Sequence, residues 1–398
     1  MNDFAYGVDF GTSNSVVGVA DLRSGNCRIL TELANSDYGV RPSLLYLAND
    51  QTRLTGNAAL RAYTSNPHRS RARLLSSMKR FLGDRRFTGT KAPWGPYMEL
   101  TPAKLIGFFL SDLKRDADRA VGEKVRKVVI GHPIVFPGGD RSMNDTLGIL
   151  YDAAVEAGFG EIEFAAEPLV VAWSENLSGR VLTLDFGGGT FDACVTENGQ
   201  PFAQEGVAIG GEDLDEVLFR LILDPALGFD RQAELNMPST VLGIRKLAEA
   251  LYTLRQERIH DDLAIAIDRT GNRGLRLLQR ILDGGHIVSL HEELWRTKER
   301  LSDSQESTYE LDQAQVEIVR DVSRLAYGER TAALMQTIES TINQCASDHR
   351  IDVVVTTGGS SLTPAFQSLI RQRFPDAEHI QSDPKTSVAL GLAQVAVS

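Results

Sequence analysis

The chain has 398 residues, 42% hydrophobic and 24% charged, which is the composition of a soluble globular protein too long for one ordinary core. Its net charge of −11 argues against nucleic acid or an anionic membrane as the main partner. Cys27, Cys194 and Cys345 have no metal-ligand or paired spacing, Met1 to Tyr6 lack the regions of a signal peptide, and no apolar run approaches membrane-spanning length, so a cytoplasmic protein is expected.

In chain order, the first signal is Gly7-Val8-Asp9-Phe10-Gly11-Thr12-Ser13-Asn14-Ser15, which reads as a strand, a tight turn and a second strand. Residues ~35–115 are rich in turn formers and basic in places (His68 to Arg73, Lys79 to Arg86), as an insertion between strands is. A buried strand follows at Val125–Ile130, then a turn-rich stretch from Pro133 to Gly139. A helix is expected from about Asp140 to Ala157, with Met143, Leu147, Leu150, Ala154 and Ala157 on its apolar face and Gly158 as its stop. The strand Val181–Leu184 leads into Leu184-Asp185-Phe186-Gly187-Gly188-Gly189-Thr190-Phe191-Asp192, which repeats the first loop. Gly210-Gly211-Glu212-Asp213 opens a helix, and residues ~212–320 are mainly helical and charged. Last come a strand at Asp352–Thr356, the run Thr357-Gly358-Gly359-Ser360-Ser361-Leu362-Thr363, and a helix entered through Pro364. The plan is an α/β protein with a duplicated core: residues 1–178 with an insertion at about 35–115, and residues 179–398 with one at about 212–320.

The repeated loop carries the chemistry. Bare glycine backbone and hydroxyls make a nest of donors suited to phosphate oxygens, and an aspartate at its mouth suits a hydrated Mg²⁺. An ordinary hairpin explains the first loop equally well, but three consecutive glycines in the second carry an entropic cost that asks for a reason. Two such loops face to face form a clamp for a nucleotide polyphosphate. The Gly358-Gly359-Ser360 turn before a helix N-terminus favours phosphate or ribose, whereas the acidic start of the Gly211 helix is accounted for by the helix dipole alone.

The segments DFGTSN, MKRFLG, HPIVFPGGDR, AAEPLVVAW, LDFGGGTFD, GGEDLD and TTGGSSLTP, in this order from Tyr6 to about Val397, resemble the ATPase domain of the DnaK, or heat-shock protein 70, family. The likeness is nearest to its short bacterial members of the YegD type. It implies a two-lobed actin-like ATPase fold, a ribonuclease H-like core duplicated with an insertion in each lobe, that takes ATP or ADP with Mg²⁺ and hydrolyses ATP slowly. Asp9 and Asp185 are then expected to hold Mg²⁺ through water, with Gly11, Thr12, Ser13, Asn14 and Gly187, Gly188, Gly189, Thr190 on the phosphates. Lys79, Glu167 and Asp192 are expected to position the attacking water and the γ-phosphate. Gly210, Gly211, Glu212, Lys298, Ser302, Gly358, Gly359 and Ser360 complete the nucleotide site, and Pro133 with Arg141 match a switch that relays nucleotide state. A protein partner or co-chaperone is implied. The family continues into an apolar linker and a peptide-binding domain, and none is expected within a chain read as ending at Ser398.

The sequence departs from this pattern at the base. Glu299 and Leu362 stand where the family has arginines flanking adenine, and Lys385 stands where it has an acid. Three other readings stay open: a nucleotide-gated binding module with vestigial hydrolysis; a sugar kinase of the same superfamily, for which no catalytic aspartate facing a polyol pocket is identifiable; and a bacterial filament protein, which shares the Glu-Pro motif and is expected to polymerise with ATP.

Overall fold

The computed structural model describes residues 3–33, 35–65, 72–175, 177–229, 237–247, 258–347 and 349–397. Most of the basic stretch His68 to Arg73 lies outside the described residues. The chain divides into two compact units, one formed by Met1–Ala59, Ser77–Gly211 and Leu334–Ser398 and the other by Leu60–Ser76 and Glu212–Ala333.

The first unit holds two sheets of the same design. In one, β1 (Phe4–Phe10), β2 (Asn14–Asp21) and β3 (Cys27–Ile29) form an antiparallel meander, and β4 (Lys127–His132) and β5 (Glu161–Ala166) extend it in parallel from the free edge of β1. In the other, β6 (Arg180–Phe186), β7 (Phe191–Glu197) and β8 (Gln200–Val207) form the meander, and β9 (Val353–Thr357) and β10 (Glu378–Gln381) the parallel extension. Both orders are third, second, first, fourth, fifth strand of the half, so the duplication read from the loops extends to the topology. The expected strands at 125–130, 181–184 and 352–356 are β4, β6 and β9, displaced by one or two residues.

Six helices of this unit matter here: α1 (Arg80–Gly83), α2 (Pro102–Val121), α3 (Met143–Glu156), α4 (Glu167–Ser174), α5 (Pro364–Arg373) and α6 (Ser387–Val395). Helix α2 lies partly in the stretch read as irregular. Thr101 caps it by accepting from the Lys104 amide, Pro102 opens it, Gly122 closes it, and it packs on α3. Ser142 caps α3, which buries Thr146, Leu150, Ala153 and Ala154; Met143 and Leu147 of the expected face are half-buried.

A core cluster joins the two sheets. Ala5, Ala20 and Val129 of the first and Val181, Val353 and Val355 of the second share it with Val170 and Val171 of α4 and Leu392 and Ala393 of α6. The paired glycines Gly7 and Gly18 let α6 lie against the first sheet, because a Cβ at either would meet α6 backbone at 2.2 and 2.3 Å. The core therefore fixes the sheet ends that carry the loops.

The second unit is mainly helical, as expected, with helices Arg258–Thr270, Arg273–Asp283 and Ile287–Asp303. It also contains a β-hairpin, Glu306–Gln313 with Val316–Ser323, within the stretch expected to be helical.

Candidate functional site

The two repeated loops sit at equivalent points of the two sheets. Phe10 pairs with Ser15 and Phe186 with Phe191, so each meander turns through four residues, 11–14 and 187–190. Phe10 and Phe186 are fully buried and anchor the strand ends, which sets Asp9 and Asp185 two residues before each turn. In the second loop the Gly187 amide donates to the Thr190 carbonyl at 3.0 Å. The first is pinned from outside: the Ser43 hydroxyl donates to the Gly11 carbonyl at 2.8 Å, and the Ser43 amide to the Ser13 carbonyl at 2.9 Å.

The loops touch. A Cβ on Gly188 would stand 2.6 Å from Ser13 Oγ, and one on Gly189 2.7 Å from Thr12 Oγ1, so a side chain at either would displace a hydroxyl of the first loop. Gly210 packs on the Gly188 carbonyl, where a Cβ would come within 2.4 Å. The Gly211 amide donates to the Gly187 carbonyl at 2.9 Å, and Ser360 Oγ donates to the same oxygen at 3.1 Å. Gly358, at φ 80°, leads from β9 into the turn that delivers Ser360. The structure thus gathers Thr12, Ser13, Gly187, Gly188, Gly189, Gly210, Gly211, Gly358 and Ser360 about one point; Gly11 and Asn14 close the first loop, Thr190 the second, and Gly359 lies within the third turn.

Beside them stands a charged cluster. Lys79, the residue before α1, is buried and donates to Glu167 Oε1 at 2.6 Å. Glu167 opens α4 directly after β5, and its carboxyl lies over Gly131 of β4, where a Cβ would be 3.2 Å from Oε1. Asp185 and Asp192 face each other across the β6–β7 register and are buried, while Asp9 is half-buried. Enclosure by protein, then the charges of Glu167 and Asp185, raise the Asp9 carboxyl well above the usual range, with Lys79 opposing. Burial, followed by Glu167 and Asp192, does the same to Asp185. Burial and then Glu167 push Asp192 up to about 7, against hydrogen bonds that favour its charged form. Burial acts to lower Lys79, but Glu167, Asp9 and Asp192 outweigh it and hold the ammonium above the ordinary lysine range. One cation thus serves four carboxylates. Added positive charge beside this cluster would favour the ionised form of its carboxyls.

The Pro133 loop is tied to this cluster. Pro133 is buried and trans, and the amides of Ile134 and Val135 donate to Asp192 Oδ1 at 2.8 and 3.3 Å. Arg141 binds the end of the helix that begins beside Lys79, donating to the carbonyls of Leu82 at 2.8 Å, Asp84 at 3.1 Å and Phe81 at 3.4 Å. Pro133 and Arg141 therefore reach the cluster through Asp192 and through the Lys79 segment respectively.

Glu212, Lys298 and Ser302 belong to the second unit. Glu212 lies in the first turn of the helix Gly211–Leu227. Lys298 pairs with Asp215 of that helix at 2.5 Å, and Ser302 donates to the Lys298 carbonyl at 3.4 Å. Glu299, Leu362 and Lys385 are all exposed.

Three contributors escape the sequence reading. Ser43 is a lone serine after Arg41-Pro42, with no signal beyond its neighbours. Gly131 follows the apolar run Val128–Ile130 within β4, just where Glu167 crosses it, and a glycine inside a strand is a signal for close approach. The grip of Asp192 on the Ile134 amide joins residues 58 apart, which no local pattern reveals.

Comparison with known proteins gives a consistent result. The family described as Hsp70 protein matches residues 5–258. Chaperone protein DnaK of Thermus thermophilus is 24% identical over 98% of this chain and 60% of its own length. The proteins of the same name from Thermotoga petrophila and Thermotoga maritima are each 26% identical over 98% of this chain and 59% of theirs. The chain spans about 60% of the length of these curated relatives. With most of its length matched to the family, and its duplicated sheets, loop pair and buried lysine in one unit, the chain is a member of the Hsp70 family and has its α/β, actin-like ATPase fold.

Proposed function

We propose that this chain binds ATP or ADP with Mg²⁺ at the glycine loops, hydrolyses ATP slowly, and gates a protein partner or co-chaperone by its nucleotide state. The observation that carries this reading is the charge surplus: four carboxylates around one lysine, against loops of bare amides and hydroxyls. Among the described residues no three acidic, histidine or cysteine side chains are arranged to ligate an ion directly. The site therefore fits a cation that keeps its water, with Asp9 and Asp185 holding that water, which is how Mg²⁺ is usually bound.

Bound Mg²⁺ supplies charge neutralisation on the phosphate oxygens. The protein does the rest. Thr12, Ser13 and the 187–190 amides hold and orient the phosphates. Lys79 stabilises charge developing on the γ-phosphoryl group. Glu167 and Asp192 orient water and hold its proton, Asp192 with a carboxyl poised near 7. Lys79 pairs with Glu167 at 2.6 Å, so a phosphate bound here would share that ammonium. The Asp192–Ile134 and Arg141–Leu82 hydrogen bonds supply the path from this cluster to the Pro133 loop that a gate needs. We assign the lobe boundary to residues 178 and 179, since every strand of the first sheet precedes it and every strand of the second follows it.

Calorimetry of ATP, ADP and GTP with Mg²⁺, with Asp9→Ala as control, tests the reading. Binding that is lost in the variant supports it, and a folded protein giving no heat with any nucleotide overturns it. The vestigial alternative draws on Leu362, which is exposed where an arginine plane would stack on a base. It predicts nucleotide binding without turnover.

A further inference from the structure

The helix Arg273–Asp283 of the second unit has an unspent basic face. Leu275, Leu278, Ile281 and Leu282 are buried on one side, while Arg273, Arg276 and Arg280 are exposed on the other. Spacings of three and four residues put the three guanidiniums within one narrow stripe about 10 Å long. Several other cations of this unit are engaged: Arg220 with Glu216, Arg245 with Asp224, Lys246 with Asp213 and Arg300 with Glu293, each at 2.6–2.7 Å. No side-chain hydrogen bond or ion pair to a described residue is found for the guanidiniums of Arg273, Arg276 or Arg280. Even Asp283, one turn from Arg280, faces His260 at 3.4 Å instead. Like charges at this spacing weaken a helix. They stand bare in a chain with 11 more acidic than basic residues.

We propose that this arginine stripe docks an acidic helix of a partner protein, one that presents carboxylates at matching three- and four-residue spacing. Guanidinium forks suit carboxylates in bidentate pairs, and a short stripe suits a short, patterned anion. A bilayer fits less well, because the apolar face a surface helix would insert is already buried. Nucleic acid fits less well, because three contacts release few counterions and the net charge of −11 repels a long polyanion. The proposal does not depend on nucleotide binding.

The test uses the full chain and a labelled alanine-based peptide with glutamates at i, i+3 and i+7, read by fluorescence anisotropy. A peptide of equal composition with its glutamates spread around the helix serves as comparison, as do a DNA duplex and vesicles of equimolar phosphatidylserine and phosphatidylcholine. Salt-sensitive binding of the patterned peptide, at least roughly tenfold tighter than the spread one, is expected. Binding should fall by roughly tenfold or more in R273E/R276E/R280E and persist in Arg371→Glu, an exposed arginine of the first unit. Should the triple variant lose its circular dichroism, Arg276→Glu alone should still weaken binding about threefold. No binding, equal binding of both peptides, indifference to the reversals, or tighter stripe-dependent binding of DNA or vesicles would overturn the proposal.

Discussion

The turns 11–14 and 187–190 occupy the same place in two sheets of the same order, yet they are built differently. In the first, the residue opposite Asp9 is Val16; in the second, the residue opposite Asp185 is Asp192. The first loop is held by Ser43, a neutral hydroxyl from outside the hairpin. The second is held by its own Gly187–Thr190 bond and accepts the other segments through bare glycine. A symmetric frame thus carries an asymmetric charge pattern. Both halves bring an aspartate and glycine backbone to the same place, but a second facing carboxyl, Asp192, and its tie to the Pro133 loop exist on one side alone.

The largest effect expected from breaking this arrangement is at its single cation. Lys79→Ala should abolish measurable ATP turnover, a loss on the order of 10²–10³-fold, while sparing most ATP affinity, because the ammonium acts on charge that develops in the transition state. The same variant leaves Glu167 buried without its partner and should destabilise the nucleotide-free chain by about 3 kcal/mol in denaturant titrations. An unchanged turnover rate would remove Lys79 from the mechanism.

Next come the two matched aspartates. Asp9→Ala and Asp185→Ala should each weaken Mg²⁺–ATP binding by roughly 30-fold or more by calorimetry, and by similar factors, since they hold equivalent positions. A large effect in only one would show that the halves have also diverged in metal handling.

The divergent residue Asp192 predicts a pH effect. Its folded carboxyl is raised to about 7, so the folded chain binds a proton that the unfolded chain releases near 4. The sign follows: stability of the nucleotide-free chain should fall as pH rises from about 4 to 7 and then level, as far as this group governs it. Asp192→Asn keeps an acceptor for the Ile134 amide and should flatten that slope in thermal melts across this range. A slope that persists unaltered would assign the titration to Asp9 or Asp185 instead.

The smallest effects concern the supports. Arg141→Ala removes three carbonyl contacts from the segment bearing Lys79 and should cost turnover roughly threefold to tenfold with little change in affinity. Ser43→Ala should cost about 1 kcal/mol of stability and a few-fold in affinity, with turnover at saturation preserved. Equal losses from both variants in both readouts would mean that the two supports act on the frame generally and not on separate halves.

Much of this is legible in the residues. Both aspartate-aromatic-glycine loops and the Gly358 turn are identifiable as candidates because glycine, acid and hydroxyl at fixed offsets leave a local trace, whereas Lys79 and Glu167 are candidates through the family resemblance alone. Helix α2 is obscured because turn formers dominate the stretch before it, although Thr101-Pro102 is an ordinary helix start. The hairpin 306–323 is absorbed into a helical reading because its charged outward face hides the alternation of Tyr309, Leu311, Val316 and Ile318.

The class of fold, the duplication and the candidate loops follow from residue types at short range, and the family from the order of such segments along the chain, so they are present in the chain before it folds. Packing was needed to show that Gly7 and Gly18 admit α6, that Gly131 makes room for Glu167, and that Ser43 steadies the first loop. Packing also brings Asp192 to the Pro133 loop and sets four carboxylates around one lysine. These are contacts between residues far apart in the chain, and a carboxyl is moved by the charges and burial that folding brings to it, which no local pattern encodes.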